Sequence, residues 1–203
     1  MKDTELNSIL AELPQIELDA ADWASKAGTI LSKYFGKPGT GTNDLGVEYK
    51  DANNTDPVTR ADTEVQQFLV SEISRRYPSH GIVGEEDKLK EGFVPDTVWI
   101  LDPLDGTKNF LNGISIWGCS IGLLFKGKPN VGAIFLPELT EKNDFLIYKA
   151  SLGEGAFLGN ERISVTLGEK PSRKKTISLP GSYWNQFKMV GGLKNNIGEI
   201  RTT

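Results

Sequence analysis

Cysteine is nearly absent from this 203-residue chain: Cys119 stands alone, which excludes an intrachain disulfide framework and makes a reducing compartment, the cytoplasm, the expected location. Long apolar runs are also lacking. The longest, over residues 116–125, is too short to span a bilayer, and the start Met1-Lys2-Asp3-Thr4-Glu5 has no signal-peptide apolar region, so no membrane role is expected. No basic stripe is present either. The net charge of -4 comes from interspersed Lys, Arg, Asp and Glu, which argues against a nucleic-acid partner. That excess of acid would also repel a phosphorylated ligand, so phosphate chemistry here needs a local cation. What the chain does have is 38% hydrophobic and 25% charged residues, the balance of a folded globular protein long enough for one large domain, or one and part of another.

Ile16, Ala20, Trp23, Ala27, Ile30, Leu31 and Tyr34 recur at steps of three and four, predicting an amphipathic helix that begins after Pro14 and ends at Gly36. Residues 37–54, rich in Gly, Thr, Asn and charge, read as a mobile loop or a weak hairpin. Thr59-Arg60-Ala61-Asp62 resembles a capping box, opening a second helix whose stripe of Val65, Phe68, Leu69, Ile73 and Tyr77 stops at Pro78. His80, the sole histidine, follows in a turn and reads as surface structure. Ile82-Val83 and Thr97-Val98-Trp99-Ile100-Leu101 look like buried strands that each run into acid, Glu85-Glu86 and Asp102. Apolar segments at 117–125, 131–136 and 145–149 predict an antiparallel meander, followed by a hairpin turning at Gly159-Asn160. Strands are expected again at 176–179 and 198–203.

The chemistry concentrates in Trp99-Ile100-Leu101-Asp102-Pro103-Leu104-Asp105-Gly106-Thr107, a strand delivering two carboxylates three residues apart into a glycine-containing turn. Carboxylates and an exposed carbonyl are hard oxygen ligands suited to Mg²⁺, and Pro103 restricts the turn so that Asp102, the Leu104 carbonyl and Asp105 could converge. A bare D-x-x-D-G is more often an ordinary strand-to-helix turn in which Asp caps amides. Gly84-Glu85-Glu86 shifts the balance, because more acid at a second strand end would cost several kcal/mol of repulsion without a cation.

Asp56-Pro57-Val58-Thr59-Arg60-Ala61-Asp62, then Gly84-Glu85-Glu86, then the stretch from Trp99 to Thr107 resemble the inositol monophosphatase family in order and spacing. Asn109-Phe110 and Gly153-Glu154-Gly155-Ala156-Phe157 extend the likeness over essentially the whole chain. The resemblance implies a magnesium-dependent phosphoric monoester hydrolase acting on a small polyol or sugar phosphate. By position it implies that Glu85, Asp102 and the Leu104 carbonyl bind a first Mg²⁺ and that Asp102 and Asp105 help bind a second, within a set of two or three ions. Thr107 paired with Asp62, together with Glu85, would position or deprotonate the attacking water, while Asp105, Gly106 and Thr107 contact substrate. Lys50 resembles the family's loop lysine. Each has a plainer alternative: Thr107 and Asp62 could cap the helices that follow them. A homodimer is the assembly the resemblance implies.

Other classes fit less well. Haloacid-dehalogenase phosphatases need D-x-D, and a D-x-D-x-D-G calcium loop needs the same position, but Leu104 stands there. Cysteine phosphatases need Arg six residues after the nucleophile, where Cys119 has Phe125, and the apolar neighbours of Cys119 make it a core residue. The expected architecture is α+β: a layered αβαβα sugar-phosphatase fold with helices against an antiparallel N-terminal sheet over residues 1–167, and the start of an incomplete α/β layer over 168–203. Family members carry a W-D-x-A-A-G-like segment that supplies another metal ligand, and this sequence has none, so the chain is expected to stop ahead of it. Fructose-1,6-bisphosphatase, histidinol-phosphatase, 3′-phosphoadenosine nucleotide phosphatase and a non-catalytic metal-binding remnant remain alternatives.

Overall fold

Ile9, Leu13, Ile16, Ala20, Trp23, Ala27 and Leu31, spaced by three and four, form the buried stripe of one long helix, α1 (Lys2–Ser32), in the computed structural model of this chain. The structure describes residues 2–36, 46, 48–49, 57–84, 95–137, 145–165, 176–179 and 199–202. The expected start after Pro14 is therefore too late, since Pro14 lies inside α1. An interior proline costs about 3 kcal/mol. Leu13 and Ile9, only 1% and 7% exposed, offset this through burial, at roughly 1.5–3 kcal/mol for each large apolar side chain.

A two-residue antiparallel ladder joins β1 (Glu48–Tyr49) to β2 (Pro57–Val58), so the expected hairpin has its second strand beyond residue 54. The chain passes directly from β2 into α2 (Arg60–Arg76). Thr59 accepts from the amides of Ala61 and Asp62, and Asp62 accepts from the Thr59 amide, closing the reciprocal capping box that its sequence predicts. The helix ends at Tyr77, before Pro78.

Seven strands form one sheet in the order β3 (Gly81–Gly84), β4 (Thr97–Asp105), β5 (Gly118–Phe125), β6 (Lys128–Pro137), β7 (Phe145–Ser151), β8 (Gly155–Leu158) and β9 (Glu161–Ile163). A short helix, α3 (Thr107–Leu111), connects β4 to β5. Every pairing is antiparallel except β3 with β4, which is parallel. β3 and β4 run in the same direction, and the connection between them spans residues 85–96. One sheet face presents Trp99, Leu101, Ile121, Leu123, Ala133 and Phe135, all buried, and α1 and α2 pack on it.

His80 departs from expectation. It is half-buried, stacked on Tyr77 at 4.9 Å with an interplanar angle of 10°, and its Nδ1 accepts the Trp99 indole N–H at 3.1 Å. Pairing with a buried tryptophan from a strand 19 positions away is invisible to local pattern. The chain divides into two compact units, Met1–Ile163 and Ser164–Thr203. In the second, β10 (Thr176–Leu179) pairs in parallel with β11 (Glu199–Thr202).

Candidate active site

In a regular strand, residues three apart face opposite sides of the sheet. Asp102 and Asp105 escape that rule through a bulge. Asp102 pairs with Ser120 and Asp105 with Gly118, so two β4 residues, Pro103 and Leu104, oppose the single Cys119. Paired residues in an antiparallel ladder share a face, and Ser120 and Gly118 are two apart. Both carboxylates therefore lie on one face of the sheet, the face turned away from Trp99, Leu101 and the two long helices. The strand expected to end at Leu101 continues to Asp105 in this kinked form.

Inside the bulge, the Leu104 amide donates to Asp102 Oδ1 at 3.1 Å, which fixes the orientation of that carboxylate. The Leu104 side chain is 1% exposed and anchors the turn from beneath. Thr107 Oγ1 donates to the Leu104 carbonyl at 3.0 Å, leaving one lone pair on that oxygen for another partner. Gly106 adopts φ +83°, a left-handed conformation that costs other residues, and a Cβ there would lie 2.7 Å from the Ile116 carbonyl. Gly106 is the N-cap position of α3 and Thr107 its first residue, so Thr107 does not serve as the cap.

The loop lying against Gly106 is tied down by Asn109, whose Nδ2 donates to the Ile116 carbonyl at 2.8 Å and whose own carbonyl accepts from the Ile114 amide at 2.9 Å. Beneath it, Phe110 and Trp117 meet edge to face at 5.0 Å, with Phe35 and Phe135 alongside. In the sequence Asn109 stands only within a family motif, with no local signal for the bonds that tie this loop down.

Asp62 is 7% exposed in the first turn of α2, its described bonds running to Thr59. Since β2 leads straight into Thr59 and packs beside α3, the starts of α2 and α3 belong to neighbouring elements. β3 reaches Gly84 level with Leu101, one residue before Asp102 in β4. A Cβ on Gly84 would sit 2.2 Å from Gln66 Nε2, which is how closely α2 approaches that strand end. Lys50, Glu85 and Glu86 lie outside the described residues. Among the described residues no three His, Cys, Asp or Glu side chains converge on one point. The donor set in view is two carboxylates and a carbonyl, all hard oxygen ligands. This suits a Mg²⁺-like ion that keeps several waters.

Burial pushes the Cys119 thiol well up, and the Asp102 charge adds to this, so Cys119 is a core residue as its neighbours predict and no nucleophile. Among the described residues no helix is long and apolar enough to cross a membrane.

The sequence pattern of the inositol monophosphatase family matches residues 14–187. Inositol monophosphatase 2 of Saccharomyces cerevisiae is 34% identical over 185 residues, covering 86% of this chain and 59% of the yeast protein. The bifunctional phosphatase IMPL2 of Arabidopsis thaliana is 38% identical over 143 residues, covering 67% of this chain and 39% of the plant protein. The chain thus spans about half the length of these curated relatives. Among solved structures, the extragenic suppressor protein suhB from Bartonella henselae superimposes with a TM-score of 0.73 at 27% identity, covering 93% of this chain and 70% of that one.

Proposed function

This chain belongs to the inositol monophosphatase family, and we propose that it contributes the metal-binding and water-positioning part of a phosphoric monoester hydrolase acting on a small polyol or sugar phosphate. The observation that carries this reading is the β4 bulge, which puts Asp102 and Asp105 on one face beside the Leu104 carbonyl. A strand needs no such device for stability, and two carboxylates placed together repel unless a cation intervenes.

Asp102, Asp105, the Leu104 carbonyl and Glu85 are the groups that would hold Mg²⁺, two or three ions as the family resemblance implies. Bound there, the metal would supply positive charge against the phosphate oxygens and acidify the attacking water. The chain's own residues do the rest. Thr107 has committed its hydroxyl hydrogen to Leu104, so its oxygen presents only lone pairs and can accept from a water, orienting it. Glu85 takes the water's proton as general base. Asp62 supports this arrangement from the start of α2. The Gly106 and Thr107 amides, at a helix start and without intrahelical carbonyl partners, suit phosphate oxygens.

The relatives' names cover inositol monophosphatase and bifunctional phosphatase activities. We therefore place the substrate at the level of small phosphorylated polyols and sugars; the cytoplasm is proposed from the single cysteine, and a homodimer from the family resemblance alone. The test is Mg²⁺-dependent phosphate release from inositol 1-phosphate, fructose 1,6-bisphosphate, histidinol phosphate and a 3′-phosphoadenosine nucleotide, beside an Asp102→Asn control. Release that vanishes in the control establishes the hydrolase and ranks its substrates. No release from a chain that still binds Mg²⁺ through Asp102 would instead make this a metal-binding protein without catalysis.

A further inference from the structure

Trp99 is completely buried, three residues before Asp102 in the same strand. An indole N–H can only donate, and its described acceptor is His80 Nδ1 at 3.1 Å. That contact determines the state of the imidazole. Nδ1 must hold a lone pair, so the ring is neutral and carries its hydrogen on Nε2. Turning the ring over would offer Trp99 a C–H in place of the lone pair, and adding a proton would set N–H against N–H. Stacking on Tyr77 keeps the ring in plane, and the His80 amide donates to the Tyr77 carbonyl at 3.0 Å.

We propose that neutral His80 is a positioning residue, the acceptor that anchors Trp99 and with it the carboxylate-bearing end of β4, and that protonation of His80 releases this anchor.

The groups around the imidazole define its charge balance. From α1 come Glu12, whose charge favours the protonated ring, and Asp19. Asp19 already accepts from Tyr77 Oη, Arg76 and Gln15. From α2 come Arg76 and Tyr77, and from β4 the uncharged Trp99. Burial outweighs Glu12 and holds the imidazole below its ordinary value of 6.5. A depressed histidine pKa means that the unfolded chain binds the proton more readily. The anchor's contribution is thus complete above 6.5 and is lost as pH falls from there through the folded-state value.

The chain has one histidine, so its imidazole signals in a ¹⁵N-labelled sample are unambiguous, and the test does not require the protein to be a phosphatase. In the 203-residue chain at pH 8 the imidazole nitrogens should show the Nε2-protonated pattern. The ring should titrate below 6.5, and the Trp99 indole and the amides of residues 100–102 should shift with the same midpoint. His80→Asn keeps an acceptor near Nδ1 that cannot be protonated, so the indole should stay bonded and the acid transition should disappear. Trp99→Phe removes the donor and should raise the imidazole midpoint toward 6.5. An Nδ1-protonated ring, a wild-type midpoint at or above 6.5, or the same strand transition in His80→Asn would each overturn the proposal. An Nδ1-protonated wild-type ring, or one whose titration leaves the Trp99 indole unmoved, overturns the proposal even if neither variant folds.

Discussion

At the scale of single residues, the 102–107 turn depends on a conformation and on a hydroxyl. Gly106→Ala forces a side chain into φ +83° and against the Ile116 carbonyl. It should cost about 1–3 kcal/mol in urea unfolding and also reduce phosphate release; an alanine variant as stable and active as the parent would show that the turn tolerates another geometry. Thr107 separates into two functions by substitution. Thr107→Val removes the hydroxyl that bonds Leu104 and should lower kcat by roughly 10²–10⁴-fold with little change in KM, the range for a lost proton-transfer or water-positioning group. Thr107→Ser should keep most of the rate. Equal losses in both variants would point to the methyl group and packing instead.

Among the elements, α1 holds to the sheet through more than its apolar stripe. Glu17, on its buried side, accepts from Ser151 Oγ and pairs with Lys149 Nζ at 3.2 Å, with side-chain exposures of only 7% and 14%. Glu17→Ala leaves a buried lysine without its counter-charge and should destabilise the chain by about 3–5 kcal/mol. Glu17→Ala combined with Lys149→Met should recover much of that loss, and a double variant no better than the single one would contradict the account. This pair was not legible in the sequence, where Glu17 reads as one more polar residue in an amphipathic helix. Elements specified by local chemistry were legible: the Thr59 cap of α2, its stop at Pro78, and the meander of β5, β6 and β7, where alternation and turn residues agree. Features set by distant partners were not. The parallel β3–β4 pairing, the bulge that brings Asp102 and Asp105 to one face, and the burial of His80 under Trp99 all arise from contacts that no short window contains. The motif named the carboxylates of the site, but the register with β5 decides where they lie.

For the whole molecule, the proposed metal site predicts that stability depends on divalent cation. A ligand that binds only the folded state at 100 times its Kd adds about 2.7 kcal/mol. Saturating Mg²⁺ should therefore raise the melting temperature and EDTA should reverse the rise. Asp102→Asn, with less acid to neutralise, should respond far less. A melting curve indifferent to Mg²⁺ in the parent chain would remove the metal from the account. The long contact between α1 and the sheet has another consequence, for synthesis. Glu17 and Ser151 are separated by 134 positions, and at 5–20 residues per second a ribosome needs roughly 7–27 s to make that interval. For most of it, α1 has been translated while the strands it will cover, β6 and β7, are not yet complete. A nascent chain so arranged exposes the apolar stripe of α1 for much of its translation, and its yield in cells is expected to rise with chaperones that shelter that stripe until the sheet arrives.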